Sequence, residues 1–351
     1  MRGYHLLLAP VVVLLAALAG GSTPPAPPPP APAPTVAGRA VDRPAREGQI
    51  LVWQAAAATL YRPDGAVVRG WADAGLPPPV RVRLSPAGDT IAVVSAGPHA
   101  LGAWGRVGRG TANPPAYHQL ALYPVAPEPA AAKDVLPGKK VDSAAWAADG
   151  SRLYVTTDDG AAHHLVDPKT GAAAPFSLPR GHHVRDVSPD GKWVLTSAPG
   201  LRREDARRAL LVPVGGGEPV AVNAPNEVAS VARFSPDGRR VLVGGFRWRN
   251  HPDPEGPPGA VVPVNEGWLA TMTVAAPGRW ADLPIGERET AVDGAWSPDG
   301  ARIVTARQEF ADLDLPVQKR TVVVTDAAGR NARVIARVDG GSMDPVAIDW
   351  R

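Results

Sequence analysis

The 351-residue chain contains no cysteine, which excludes disulfides, thiolate metal sites, a cysteine nucleophile and a lipid-modified N-terminal cysteine. Its formal net charge is only +3, and the basic residues, six of 37 being lysine, are scattered along the sequence and not clustered as a nucleic-acid footprint requires. A folded unit of roughly 300 residues buries about 75% of its unfolded surface, so packing alone suffices to hold it.

Residues 1–19 read as an export signal: Arg2 gives a positive start, Leu6 to Leu18 is apolar, and Ala17-Leu18-Ala19 offers small residues for a signal peptidase. The apolar run is shorter than the ~20 residues of a membrane-spanning helix, with an uncleaved anchor as the alternative. Residues 20–46 hold a Pro/Ala run, Pro24 to Pro34, that cannot pack a core and favours an extended, semi-rigid spacer. The globular part is expected over 47–351.

Within it, strands are predicted at Gln49–Trp53, Thr59–Tyr61 and Ala66–Arg69, then at Val80–Leu84, Thr90–Ser95, Gln119–Tyr123 and Asp134–Leu136. One cassette punctuates the chain: Ser188-Pro189-Asp190-Gly191, Ser235-Pro236-Asp237-Gly238 and Ser297-Pro298-Asp299-Gly300, with looser copies at Ser85-Pro86-Ala87-Gly88 and Ala147-Ala148-Asp149-Gly150. Serine first, proline second and glycine fourth suit a type I turn.

Three residues after Gly48, Gly88, Gly150, Gly191, Gly238 and Gly300 stand Leu51, Ile91, Leu153, Val194, Val241 and Ile303, each followed by another apolar residue. Strands apolar at consecutive positions are buried on both faces. Leu84, Trp146, Val187, Phe234 and Trp296 precede the turns and are expected to pack between repeats. Glycine spacings of 40, 62, 41, 47 and 62 residues, with four short strands per unit, indicate propeller blades. The chain stops at Trp350-Arg351 where a turn should follow, and Glu47-Gly48-Gln49-Ile50 reads as the missing continuation. The last strand is therefore expected to join the first three, closing an all-β, six-bladed propeller and leaving no free sheet edge.

The Trp/Phe-Ser-Pro-Asp-Gly-x-x-Ile/Val pattern resembles the TolB-type, WD-like β-propeller repeat of bacterial envelope proteins over nearly all of residues 47–351. It departs at Ala87, at Ala147-Ala148 and in the split closing blade, and the Pro-rich segment stands where TolB has a small N-terminal domain. The resemblance implies the propeller and, weakly, an envelope role; it transfers no binding residue.

The two 62-residue intervals carry about 20 extra residues each over a blade of this class. The excess lies between second and third strands, at Ala96–His118 and Phe246–Gly267, with smaller insertions at Ala198–Arg208 and Arg307–Lys319. All four should decorate one rim, opposite the Ser-Pro-Asp-Gly turns, where loops on a rigid scaffold bind partners. Two of them set arginine beside tryptophan: Trp104, Arg106 and Arg109 in one, Arg247, Trp248, Arg249 and His251 in the other. Such groups suit carboxylate-bearing or aromatic partners, unless the tryptophans cap their own loops.

His163-His164 and His182-His183, near Asp158, Asp159, Asp167 and Asp186, are the metal candidates. Neighbours on a strand point to opposite faces, so neither pair grips one ion. One histidine of each pair with an aspartate is the alternative metal site at the channel, but satisfied or exposed histidines are the default, and no metal or cofactor is expected. Gly340-Gly341-Ser342-Met343-Asp344 fails as a nucleophile elbow, and phosphate-loop, zinc-protease and dinucleotide motifs are missing. Glu309, Asp312 and Asp314 suit surface solvation. The leading expectation is an exported, non-catalytic scaffold that binds a protein or envelope polymer. The alternatives are a lyase or hydrolase with His, Asp and Glu at the channel mouth, and a surface protein without a specific ligand.

Overall fold

The computed structural model describes residues 48–54, 57–71, 79–96, 118–125, 132–197, 208–224, 227–252, 257, 259–309, 319–338 and 346–351. The chain divides into two units, Met1–Thr35 and Val36–Arg351. The first lies wholly outside the described residues, as do the expected signal and spacer and the loop with Trp104, Arg106 and Arg109.

The second unit forms six four-stranded antiparallel sheets, and no described residue is helical. Blade A holds β1 (Ile50–Gln54), β2 (Ala57–Tyr61) and β3 (Val67–Trp71). Blade B follows with β4 (Pro79–Leu84), β5 (Thr90–Ala96), β6 (His118–Pro124) and β7 (Lys133–Asp134). Blade C has β8 (Val141–Trp146), β9 (Leu153–Thr157), β10 (Ala162–Val166) and β11 (Ala173–Pro175). Blade D has β12 (His183–Val187), β13 (Trp193–Ser197), β14 (Ala209–Pro213) and β15 (Val220–Ala221). Blade E has β16 (Glu227–Phe234), β17 (Arg240–Pro252), β18 (Val261–Thr273) and β19 (Trp280–Asp282). Blade F has β20 (Glu289–Trp296), β21 (Arg302–Glu309), β22 (Arg320–Asp326) and β23 (Arg333–Val338), and β24 (Val346–Trp350) completes blade A beside β1.

The first strand of each blade is innermost, and each touches the innermost strand of the next blade around the whole ring, β24 serving for blade A. Closure is as the sequence requires: β24 runs antiparallel to β1, and Gln49 and Arg351 exchange backbone hydrogen bonds of 2.6 and 3.2 Å. The register differs by one residue from the turn-glycine count. Ile50, two residues after Gly48, faces Trp350, whereas Val241, three after Gly238, faces Phe234. Elsewhere the glycine belongs to the turn joining the paired strands; at Gly48 no such turn constrains the spacing.

Burial on both strand faces follows from stacking blade on blade. Ile50 and Val52 pack with Val304 and Val324 of blade F, while Leu51 and Trp53 pack with Val82 and Ile91 of blade B. Each of the six interfaces has its own apolar cluster, containing in turn Leu84, Trp146, Val187, Phe234, Trp296 and Trp350. Arg240 lies over the Trp296 ring at 4.5 Å and Arg302 over Trp350 at 5.2 Å, adding cation–π contact between blades.

The turn cassette works through its serine. Ser235 Oγ donates to Asp237 (2.5 Å) and accepts the Arg240 N–H (2.9 Å), while Asp237 accepts the Arg239 N–H (3.0 Å). Gly238 takes φ +69°, a left-handed geometry that disfavours side chains. Partial burial pushes the Asp237 carboxyl up, but the bonds from Ser235 and Arg239 outweigh it and leave the group below its usual range. In blade B, where Ala87 replaces the aspartate, Asp89 takes the Ser85 hydroxyl at 2.7 Å instead. Ser235 is fully buried, so Ser235→Ala strands the Arg240 N–H and should cost about 1–2 kcal/mol, read from equilibrium denaturation.

Candidate functional site

Antiparallel order puts every second-to-third connection at the opposite end from the Ser-Pro-Asp-Gly turns, so the strand ends that flank the four insertions share one rim. The blade E insertion corrects one expectation. It is a continuation of the β17–β18 ladder out to Pro252 and Val261, and not a loop. Its base is held against blade F: Thr290 Oγ donates to the Gly245 carbonyl at 2.7 Å, and a Cβ at Gly267 would lie 1.7 Å from the Glu289 carbonyl oxygen.

On this hairpin Arg247 faces Glu266, Trp248 faces Asn265, Arg249 faces Val264 and His251 faces Val262. The arginines are engaged within the protein. Arg247 bonds Glu266 at 3.1 and 3.3 Å and lies 3.9 Å from Glu227, while Arg249 pairs with Glu266 at 2.5 Å. These pairs stiffen the projection, and Val261 and Val264 stay exposed on its outer strand.

At the same rim, β10 and the start of β12 gather the histidines. His163 meets Thr156 Oγ at 3.3 Å, His164 meets Thr157 Oγ at 3.3 Å, and His182 meets Thr196 Oγ at 3.0 Å. No three His, Asp or Glu among the described residues are grouped to hold a metal ion. Burial holds the imidazoles of His118, His163 and His182 below their usual range. Folded values below the unfolded 6.5 mean that the unfolded chain binds more protons. The resulting stability is present above pH 6.5 and is lost as pH falls. Replacing His163 by glutamine should flatten the acid side of a thermal-stability profile between about pH 7 and 5.

The axis holds a buried ionic layer. Taking the innermost residue before each turn-flanking apolar residue, blades A to F read Asp349, Arg83, Ala145, Asp186, Arg233, Ala295. The order Asp-Arg-Ala repeats every three blades, and so do its contacts. Asp349 accepts the Leu84 N–H and Asp186 the Phe234 N–H, both at 2.8 Å, each stitching its blade to the next. Arg83 crosses to the Arg185 carbonyl at 3.3 Å, and Arg233 to the Ile348 carbonyl at 3.5 Å. Trp146 donates to the Arg83 carbonyl (3.1 Å), and Trp296 to that of Arg233 (3.4 Å). Blades B and E, which carry these arginines, stand three apart in the ring, and each also holds one of the two longest second-to-third intervals.

Asp293, Arg185 and Arg351 join the layer. Arg233 reaches Asp293 at 3.2 Å and the Gly294 carbonyl at 2.9 Å, and Asp293 accepts the Ile348 N–H at 3.0 Å. Burial raises all three carboxyls, Asp186 to about 6, against the opposing pull of the arginines. On the turn side the layer floors a depression of about 950 Å³, with Asp186 and Arg351 in its lining and Pro86, Pro189, Pro236 and Pro298 at its edge. Of the axial residues only Asp186 was anticipated, and then as a metal candidate and not as part of an ionic layer. The available signal was a charged residue just before Leu84, Val187, Phe234 and Trp350 in otherwise apolar strands.

No family model matches the chain. Among solved structures it resembles a TolB-type protein from Agrobacterium tumefaciens, at 14% identity and TM-score 0.55, covering 84% of this chain and 90% of that one. TolB from Acinetobacter baumannii matches at 14% identity and TM-score 0.53, covering 86% and 66%. A chain of a nidogen/laminin complex matches at 10% identity and TM-score 0.54, covering 86% and 98%. The fold is thus a TolB-like, six-bladed β-propeller. In sequence the chain is 36% identical over 107 residues to "Probable dipeptidyl-peptidase 5" of Aspergillus niger, spanning 26% of this chain and only 14% of that protein. No helix among the described residues is long and apolar enough to cross a membrane.

Proposed function

We propose that this chain is an exported, non-catalytic binding scaffold. Residues 1–19 direct export, 20–46 form a Pro/Ala-rich tether, and the propeller of 47–351 engages a protein or cell-envelope partner through its insertion-bearing rim. Trp104, Arg106 and Arg109 on blade B and Arg247, Trp248, Arg249 and His251 on blade E are the proposed contact residues. The observation that carries this reading is the stiff β17–β18 projection, on which Val261 and Val264 are exposed and Glu266 fixes Arg247 and Arg249 beside Val264. Rigid, pre-ordered projections bind with less entropy loss than mobile loops. The likeness to a chain solved within a nidogen/laminin complex is compatible with a protein partner.

Joint replacement of Trp248 and Arg249 by alanine should weaken capture of the partner from envelope extract at least ten-fold without altering thermal stability. Undiminished capture removes the blade E projection from the interface. A second reading, a propeller lyase or hydrolase, draws on the raised Asp186 carboxyl in the turn-side depression. Turnover of a glycan or peptide panel that disappears in Asp186→Ala would support it.

A further inference from the structure

The turn-side depression lies at the opposite end of the axis from the proposed partner rim, and one residue of its lining, Arg351, has a donor without an acceptor. Arg351 lines the depression, yet its Nε is buried and has no hydrogen-bond partner among the described residues. Arg83, 4% exposed in the layer, spends its two terminal nitrogens on the Val82 and Arg185 carbonyls while its Nε is also unpartnered. Arg83 and Arg351 act electrostatically on the same carboxylates, Asp186 and Asp349, which places both cations in one neighbourhood. A buried guanidinium N–H without an acceptor is costly, and most such groups in proteins are satisfied by protein, water or ligand.

Within the layer four arginines, Arg83, Arg185, Arg233 and Arg351, meet three aspartates, Asp186, Asp293 and Asp349. On the lining of the depression Arg62 and Arg351 stand with Asp186 and Asp299, so its side-chain charges balance and the unsatisfied Arg351 Nε is the feature that asks for an acceptor. Part of the wall is apolar: besides the four turn prolines, Pro63, Val68, Trp146 and Phe234 contribute, alongside the polar Gln49 and Ser235. A cavity of about 950 Å³ is at the upper end of the range that holds small organic ligands.

We infer that the turn-side depression is a binding site for an organic carboxylate with an apolar body, its oxygens accepting from Arg351 and its chain lying against the prolines. A guanidinium presents paired donors that match a carboxylate, and proline walls pay no rotamer entropy on contact.

Calorimetric titration of the full chain with hexanoate, its neutral amide hexanamide, and inorganic phosphate tests the site. Hexanoate is expected to bind at least ten-fold more tightly than either of the others. Arg351→Ala should abolish that preference and Arg351→Lys should restore part of it. Val68→Glu places a carboxylate on an exposed wall position without touching the buried layer, and should weaken hexanoate at least five-fold. Equal binding of hexanoate and hexanamide, phosphate as strong as hexanoate, or indifference to both Arg351→Ala and Val68→Glu would each overturn the inference. Loss of partner capture at the rim would leave it standing, because the two sites lie on opposite faces.

Discussion

Alanine in place of Trp350 is expected to lower the free energy of unfolding by about 3–5 kcal/mol, the range for removing a large buried aromatic. The residue is 1% exposed and packs in the interface between blades F and A with Ile50, Val304 and Val324. It also carries the Arg302 guanidinium over its ring. Its strand supplies the partner that β1 needs, so a cavity here loosens the point where the ring closes. Trp280, on the outermost strand of blade E and 45% exposed, is the internal control and should lose less than half as much. Equilibrium unfolding in guanidinium chloride reads both. A Trp350→Ala midpoint close to wild type would mean that ring closure adds little to stability.

Replacing Arg233 by methionine should cost about as much, roughly 3–5 kcal/mol, for a different reason. Methionine fills most of the volume but leaves the buried Asp293 carboxylate without its 3.2 Å partner and the Gly294 carbonyl without its 2.9 Å donor. Removing one member of a buried pair strands the other, whereas removing both together costs far less. A double-mutant cycle with Asp293→Asn should therefore show a coupling of at least about 1.5 kcal/mol. Additive effects would show that the layer is held by its backbone bonds alone.

The layer also has a pH signature of opposite sign to that of the histidines. With Asp186 raised to about 6 against 3.8 unfolded, the folded protein holds the extra proton between those values. The stability it contributes is present below pH 3.8 and lost as pH rises through 6. The histidines lose stability on the way down from pH 6.5, so the two groups pull against each other across the weakly acid range.

How much was legible beforehand depends on whether local spacing encodes it. The turn cassette, the aliphatic pairs three and four residues beyond most turn glycines, and the orphaned Trp350 announced blades, their number and their closure. Each of those reflects a requirement met within a few residues: a left-handed glycine, a serine hydroxyl reaching five residues on, a strand buried on both faces. The extension of β17–β18 was missed because the Pro- and Gly-bearing stretch from Phe246 to Gly267 suggests a loop. Pairing of Arg247 and Arg249 with Glu266, and Gly267 fitting against Glu289, favour a ladder instead.

The amino-acid sequence by itself determined the repeat, the six blades and the strand that closes them, because those features follow from turn chemistry and period. Only the tertiary structure decided that Asp349, Arg83, Asp186 and Arg233, between 47 and 266 residues apart in pairs, share one buried layer with a three-blade rhythm. Charge in a strand is read from sequence as solvated. It becomes a buried axial network only when six inner strands converge, and the distances that balance desolvation against pairing exist in no single blade.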